Sequence, residues 1–183
     1  MKGFLLVAVL MAFMVGCSAS RTQKTVRYTV FTPQQQHTLA AQPLKLLPVA
    51  GVRVRMTKEL RAYNTPLRFN ADGTVTPYRA LTYYAPLELV LERALEDITR
   101  FQASEHRQLG IEVRDYCIVE SADSAESLQP PAAEVRVTLV FHLPSRAPVT
   151  HAAVLPLPEN YTPAIARETF AEALLRAWQA YAP

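Results

Sequence analysis

The sequence predicts an α+β fold: a mainly antiparallel sheet with two amphipathic helices packed on one face. Three observations predict it. Several short stretches alternate apolar and polar residues with period two, two longer stretches repeat apolar residues every three or four, and the order runs strands, helix, strands, helix. Between them lie connections rich in Pro and Gln or in Ser, Ala and Pro.

Val26 to Phe31 is β-branched and aromatic enough for a strand, and the Pro/Gln-rich run Thr32 to Pro43 reads as a loop. Leu44 to Val49 reads as a second strand. Val52, Val54 and Met56 alternate with Arg53, Arg55 and Thr57, which predicts a half-buried strand with one wet, basic face. Ala71-Asp72-Gly73 is a turn sequence able to close a hairpin between Leu67–Asn70 and Thr74–Tyr78.

The period then changes. Pro86 suits a first helical turn, and Leu87, Val90, Leu91, Ala94, Leu95, Ile98 and Phe101 form one apolar stripe, predicting a helix of about four turns. Ile111 to Glu120 and Glu134 to Leu143 are the longest strand candidates, joined by a Ser/Ala/Pro loop from Ser121 to Ala133. A shorter strand around His151 to Leu155 follows and is expected to pair antiparallel with its predecessor. Thr162 is the expected N-cap and Pro163 the first residue of a final helix with Ile165, Ala166, Phe170, Ala173, Leu174, Ala177, Trp178 and Tyr181 on its apolar face.

The first twenty residues carry a different message. Lys2 followed by the uncharged run Phe4 to Val15 is too short for the roughly 20 residues that span a bilayer, so it reads as an export signal. Its end, Met14-Val15-Gly16-Cys17, resembles the lipobox of bacterial lipoproteins, with Met14 where Leu is usual. That resemblance implies cleavage before Cys17 and lipidation of its thiol; ordinary secretory cleavage near Ser18-Ala19-Ser20 is the alternative. The organisation is then residues 1–16 signal, 17–25 lipidated N-terminus and flexible tether, and 26–183 a single α+β domain. Acyl chains contribute about 0.8 kcal/mol per buried methylene, so the domain would be held on a membrane face without crossing it.

Cleavage leaves 18 basic and 16 acidic side chains, interspersed, which gives no nucleic-acid stripe and no polybasic arm. Only two cysteines exist. With Cys17 acylated, Cys117 reads as a buried free thiol in a strand; with Cys17 unmodified, a Cys17–Cys117 disulfide stays open.

Catalytic patterns are missing from the sequence. The four histidines, His37, His106, His142 and His151, have no metal-ligand spacing, although a hairpin would bring His142 and His151 closest. With five glycines and no G-x-S-x-G, P-loop or G-x-G-x-x-G, no phosphate cradle forms, and neither enzyme activity nor a cofactor or metal is expected. Tyr78, Tyr83 and Tyr84 suit either core packing at the mouth of the first helix or a protein-contact surface. Arg53 and Arg55 suit either a solvated strand face or contact with acidic headgroups or an acidic partner. The two helices could also clasp a lipid chain against the sheet, a sealed interior being the plainer expectation.

Taken together, the lipobox at Cys17, the Tyr28-Thr29-Val30 strand, Leu44-Lys45-Leu46-Leu47-Pro48-Val49, and the aromatic pair leading through Pro86 into a Leu-rich helix resemble the ABC-type transport auxiliary lipoproteins. These partner MCE (mammalian cell entry) type lipid transport systems. Members often carry Trp before the helix-starting proline, where this chain has Tyr83 and Tyr84. The resemblance implies a non-enzymatic subunit, anchored in the outer membrane and facing the periplasm, that docks on an MCE-domain protein. Tyr83, Tyr84, Arg53 and Arg55 are the candidate partner contacts, and self-association stays open. Ser18 after Cys17 favours outer-membrane sorting. The runner-up reading is a carrier of lipid or envelope polymer.

Overall fold

The computed structural model describes residues 30–40, 45–102, 107–121, 132–143 and 146–181. Cys17, the expected signal and tether, His106 and most of the Ser121–Ala133 connection lie outside the described residues.

The centre of the fold is a long strand, β6 (Gln108–Glu120), preceded by α1 (Pro33–Ala40), β1 (Lys45–Leu47), β2 (Gly51–Met56), α2 (Lys58–Tyr63), β3 (Leu67–Phe69), β4 (Val75–Pro77), α3 (Leu87–Asp97) and β5 (Thr99–Phe101). After it come β7 (Ala133–His142), β8 (Val149–Leu157) and α4 (Pro163–Ala180). The main sheet runs β4-β3-β6-β7-β8 and is mostly antiparallel, as the alternating patterns predict. It is also mixed. On one edge of β6, two strands pair parallel to it end to end, β2 against Gln108–Val113 and β3 against Cys117–Val119. A register shift in β6 between Val113 and Asp115 marks the gap between them. β1 and β5 form a separate parallel pair.

Side-chain parity sets the layers. Val52, Val54 and Met56 of β2 share a face with Ile111 and Val113 of β6 and with Leu139 and Phe141 of β7, and all are buried. The β6 register shift keeps Tyr116 and Ile118 on that same inner face, opposite Val137 and Val135. α3 covers its β2 end with Leu87, Val90, Leu91, Ala94 and Leu95, and α4 covers β7 and β8 with Ala166, Phe170, Ala173, Leu174, Ala177 and Trp178. The amphipathic helices thus pack on one face, as predicted. Tyr116 meets Phe170 at 4.6 Å between ring centroids, and Phe141 stacks on Tyr181 at 4.1 Å and lies 5.7 Å from Trp178. Burying side chains of this size stabilises the fold by about 1.5–3 kcal/mol each.

Several expectations need correction. The run Thr32 to Pro43 is not simply a loop, since it contains α1. Thr32 and Gln35 explain it: the Thr32 N–H donates to Gln35 Oε1 at 3.0 Å, and the Gln35 N–H donates to Thr32 Oγ1 at 3.3 Å. That reciprocal capping box, with Pro33 first in the helix, starts a turn that its polar composition hides. Of the expected Val26–Phe31 strand only Val30 and Phe31 are described, and they form a bend with buried side chains. α2 arises in the same way as α1, from Thr57, whose hydroxyl accepts the Leu60 N–H. The first amphipathic helix stops at Asp97, a turn earlier than its apolar stripe. Thr99 to Phe101 leave it to pair with Lys45–Leu47, because a partner strand overrides weak helical preference in β-branched Ile98 and Thr99.

Candidate functional site

The period-2 pattern of β2 turns Arg53 and Arg55 to the sheet's outer face, away from the buried Val52, Val54 and Met56, and both are exposed. In register they sit beside Gly110 and Glu112 of β6, and Gly110 in turn sits opposite His142 of β7. α2, which follows β2 directly, adds Arg61. These residues line an open groove of about 590 Å³ with Gln108, Met56 and Ile111. A Cβ on Gly110 would stand 3.3 Å from the Cβ of His142, so glycine keeps this part of the floor low.

The groove's charge is unbalanced. Its one carboxylate, Glu112, is shared by Arg114 at 3.2 Å and His142 at 3.4 Å. Two α3 carboxylates approach the arginines from outside, but they are also committed to backbone. Glu88 Oε1 accepts the Met56 N–H at 3.2 Å as well as Arg61 at 3.0 Å. Glu92 Oε2 accepts the Val54 N–H at 3.0 Å and reaches Arg53 only at 4.0 Å. Among the described residues Arg55 makes no ion pair. Arg61 is held by Glu88 and Arg53 more loosely by Glu92, so among the described residues Arg55 is the groove guanidinium left without an acidic partner, and guanidinium forks suit carboxylates and phosphates.

The tyrosine pair divides between core and surface. Tyr84 is 91% exposed. Tyr83 points inward instead, its hydroxyl 3.3 Å from that of Tyr116, and burial pushes the pKa of both phenols up, that of Tyr116 well above the usual range. Tyr83 is therefore a packing residue whose polar end is already used inside the protein. Tyr78 is half-buried, with its ring 6.5 Å from that of Tyr161. Arg61 and Tyr84 are linked through Asn64, which follows α2 and hydrogen-bonds the segment just after Tyr84 through the Ala85 carbonyl. The structure thus brings Arg53 and Arg55 together, adds Arg61 and His142, and leaves Tyr83 out.

The two histidines do not meet. His142 faces the outer groove, whereas His151 faces inward against Phe141 at 5.7 Å and Tyr181 at 6.4 Å. Among the described residues no group of three or more His, Cys, Asp or Glu side chains is placed to hold a metal ion. Cys117 is a buried free thiol, pushed up to about 12 chiefly by burial, with the Asp115 charge adding to it. A second depression, about 500 Å³ between α1 and α4, is lined by Thr32, Gln35, Thr38 and the carboxylates Glu168 and Glu172, the latter paired with Arg176 at 2.9 Å. No described helix is long and apolar enough to cross a membrane.

Comparison with family models and with curated proteins finds no match. Among solved structures, protein XCC0632 from Xanthomonas campestris, assigned to the family model DUF330, is similar in fold. The two chains are 20% identical with a TM-score of 0.50, over 85% of this chain and 89% of that one. At that identity the likeness describes shared architecture.

Proposed function

We propose that this protein is a non-enzymatic auxiliary subunit of an ABC/MCE-type lipid transport system, anchored through lipidated Cys17 to the outer membrane and facing the periplasm. The basic groove carries the docking part of the reading: Arg53 and Arg55 on the outer face of β2 line it together with Arg61 of α2, and Tyr84 is fully open to solvent. Arginine and tyrosine are residues that contact surfaces favour. The partner chemistry that fits is an acidic surface of the MCE-domain protein. Beneath the helices, Tyr116, Phe141, Phe170 and Trp178 fill the space that a lipid carrier would need to keep open.

Photo-crosslinking in intact cells tests the docking. A crosslinker at Arg55 or Tyr84 is expected to capture an MCE-domain protein, while one at Tyr83 captures none. Arg53→Glu with Arg55→Glu is expected to weaken that capture at least tenfold. Equal capture from Tyr83, or capture that ignores the charge reversal, would refute the assignment. The anchor is tested separately by labelled palmitate, whose incorporation should vanish in Cys17→Ala.

A further inference from the structure

An exposed sheet edge offers unpaired N–H and C=O groups to any extended chain, so natural proteins shorten, charge or cover it. This molecule does so at two edges. β4 is three residues long, and the free edge of β2 is bonded by the Glu88 and Glu92 side chains through the N–H groups of Met56 and Val54. The edge of β8 receives neither treatment. It is nine residues long, Val149-Thr150-His151-Ala152-Ala153-Val154-Leu155-Pro156-Leu157, with no Asp, Glu, Lys or Arg. Among the described residues its backbone bonds only to β7. Val149 and Val154 are 43% and 47% exposed.

We infer that the free edge of β8 is an interface between two copies of this chain, paired antiparallel about Ala153. The groups on offer are backbone donors and acceptors, which only another extended strand matches along its length. The absence of charge selects its own copy. A strand without charged side chains has nothing to steer an acidic or basic partner segment, but it meets itself with no like charges opposed. Antiparallel pairing about Ala153 overlaps all nine residues and is two-fold symmetric, so each copy both presents and receives the same surface. On the outer face Ala152 then sits opposite Val154 of the second copy, and the two half-exposed valines close over the centre. On the inner face Val149 sits opposite Leu157. Pro156 has no N–H to give, so the pairing lacks a donor at that position in each copy and is carried by the residues from Val149 to Leu155. The inference stands apart from the docking reading, since β8 lies at the opposite side of the sheet from the arginines.

Paired crosslinking of the full chain tests it. Differently tagged Ala152→Cys and Val154→Cys chains, expressed together and mildly oxidised, are expected to form a disulfide-linked heterodimer, because directly opposite Cβ atoms lie about 5 Å apart. Cys117 is buried and contributes no background. Sedimentation of the purified full chain at micromolar concentration should give twice the monomer mass. Val154→Lys should convert it to a monomer that keeps the parent's circular dichroism spectrum, since that side chain points to solvent in the single chain. Adding Ala152→Glu should restore the dimer, because each introduced lysine then faces an introduced glutamate. A monomeric parent chain, a dimer indifferent to Val154→Lys, or a disulfide to a different polypeptide would each overturn the inference.

Discussion

The side-chain carbonyl of Asn64 accepts the backbone N–H of Leu87 at 2.6 Å, so the residue that ends α2 also begins α3. Its amide nitrogen donates to the Ala85 carbonyl at 3.2 Å, and its backbone takes a left-handed φ of 53° that closes α2 on the Leu60 carbonyl. Pro86, at the N-cap position of α3, has no side-chain acceptor of its own, which is why a distant asparagine fills the role.

Asn64→Ala is therefore expected to destabilise the protein by about 2–3 kcal/mol, combining a lost cap with an alanine forced into a left-handed conformation. Asn64→Asp keeps the acceptor for Leu87 and a residue that tolerates the left-handed conformation, but sets a carboxylate oxygen against the Ala85 carbonyl, so its melting temperature should fall, though by less than that of the alanine variant. Thermal unfolding followed by circular dichroism checks both, and an unchanged Asn64→Ala melt would contradict the capping role.

Tyr83→Phe removes the hydroxyl facing Tyr116 and leaves a buried phenol without its partner, at a cost of about 1–3 kcal/mol. Removing both hydroxyls, in Tyr83→Phe with Tyr116→Phe, should cost less than the two single changes added together. Urea unfolding of the four proteins in a double-mutant cycle measures that difference, and strict additivity would mean that the pair does not interact.

Glu92→Ala should expose the β2 edge, because the Val54 N–H loses its acceptor. The expected loss is about 1–3 kcal/mol, with more light scattering on prolonged incubation as freed strand edges associate. Glu92→Gln retains a side-chain carbonyl acceptor and should resemble the parent in scattering. If both variants scatter alike, the protection comes from charge and not from the hydrogen bond.

Stability should fall on the alkaline side, beginning near pH 9. The Cys117 thiol stays protonated in the fold to about 12, whereas in the unfolded chain it ionises near its ordinary value of 9.0. Below pH 9 both states hold the proton and nothing changes. Above it the unfolded state releases a proton that the folded state keeps, so rising pH favours unfolding, by at most about 4 kcal/mol at pH 12. The raised phenols of Tyr83 and Tyr116 extend the same trend above pH 10. Cys117→Ala should flatten the portion that starts near pH 9, as read from denaturant midpoints between pH 7 and 11, while leaving the tyrosine portion in place.

What the sequence discloses depends on how locally each element is determined. β6, β7 and α4 are legible because long runs of strict period place Val135, Val137, Leu139, Phe170 and Trp178 on single faces, and Thr162-Pro163 announces the helix start. α1 and α2 are short and owe their starts to Thr32 and Thr57, signals easily lost among polar residues. β5 is invisible locally, since Thr99–Phe101 continue a helical stripe and become a strand only by meeting β1. The same distinction governs the site. Arg53 and Arg55 share a face by period alone, but Arg61 and His142 join them through tertiary structure. Nothing in two adjacent tyrosines says that Tyr83 turns inward and Tyr84 outward.

The end-to-end placement of β2 and β3 along one side of β6 works like a splice. Between Met56 and Leu67 the backbone leaves the sheet, forms α2, and returns to the same neighbouring strand four residues further on. Material exchanged within that detour rewrites the rim of the arginine groove and the bond to Leu87 without disturbing the ladder on either side. For evolution or for an engineer, it is the segment where partner preference can be retuned while the scaffold is inherited unchanged.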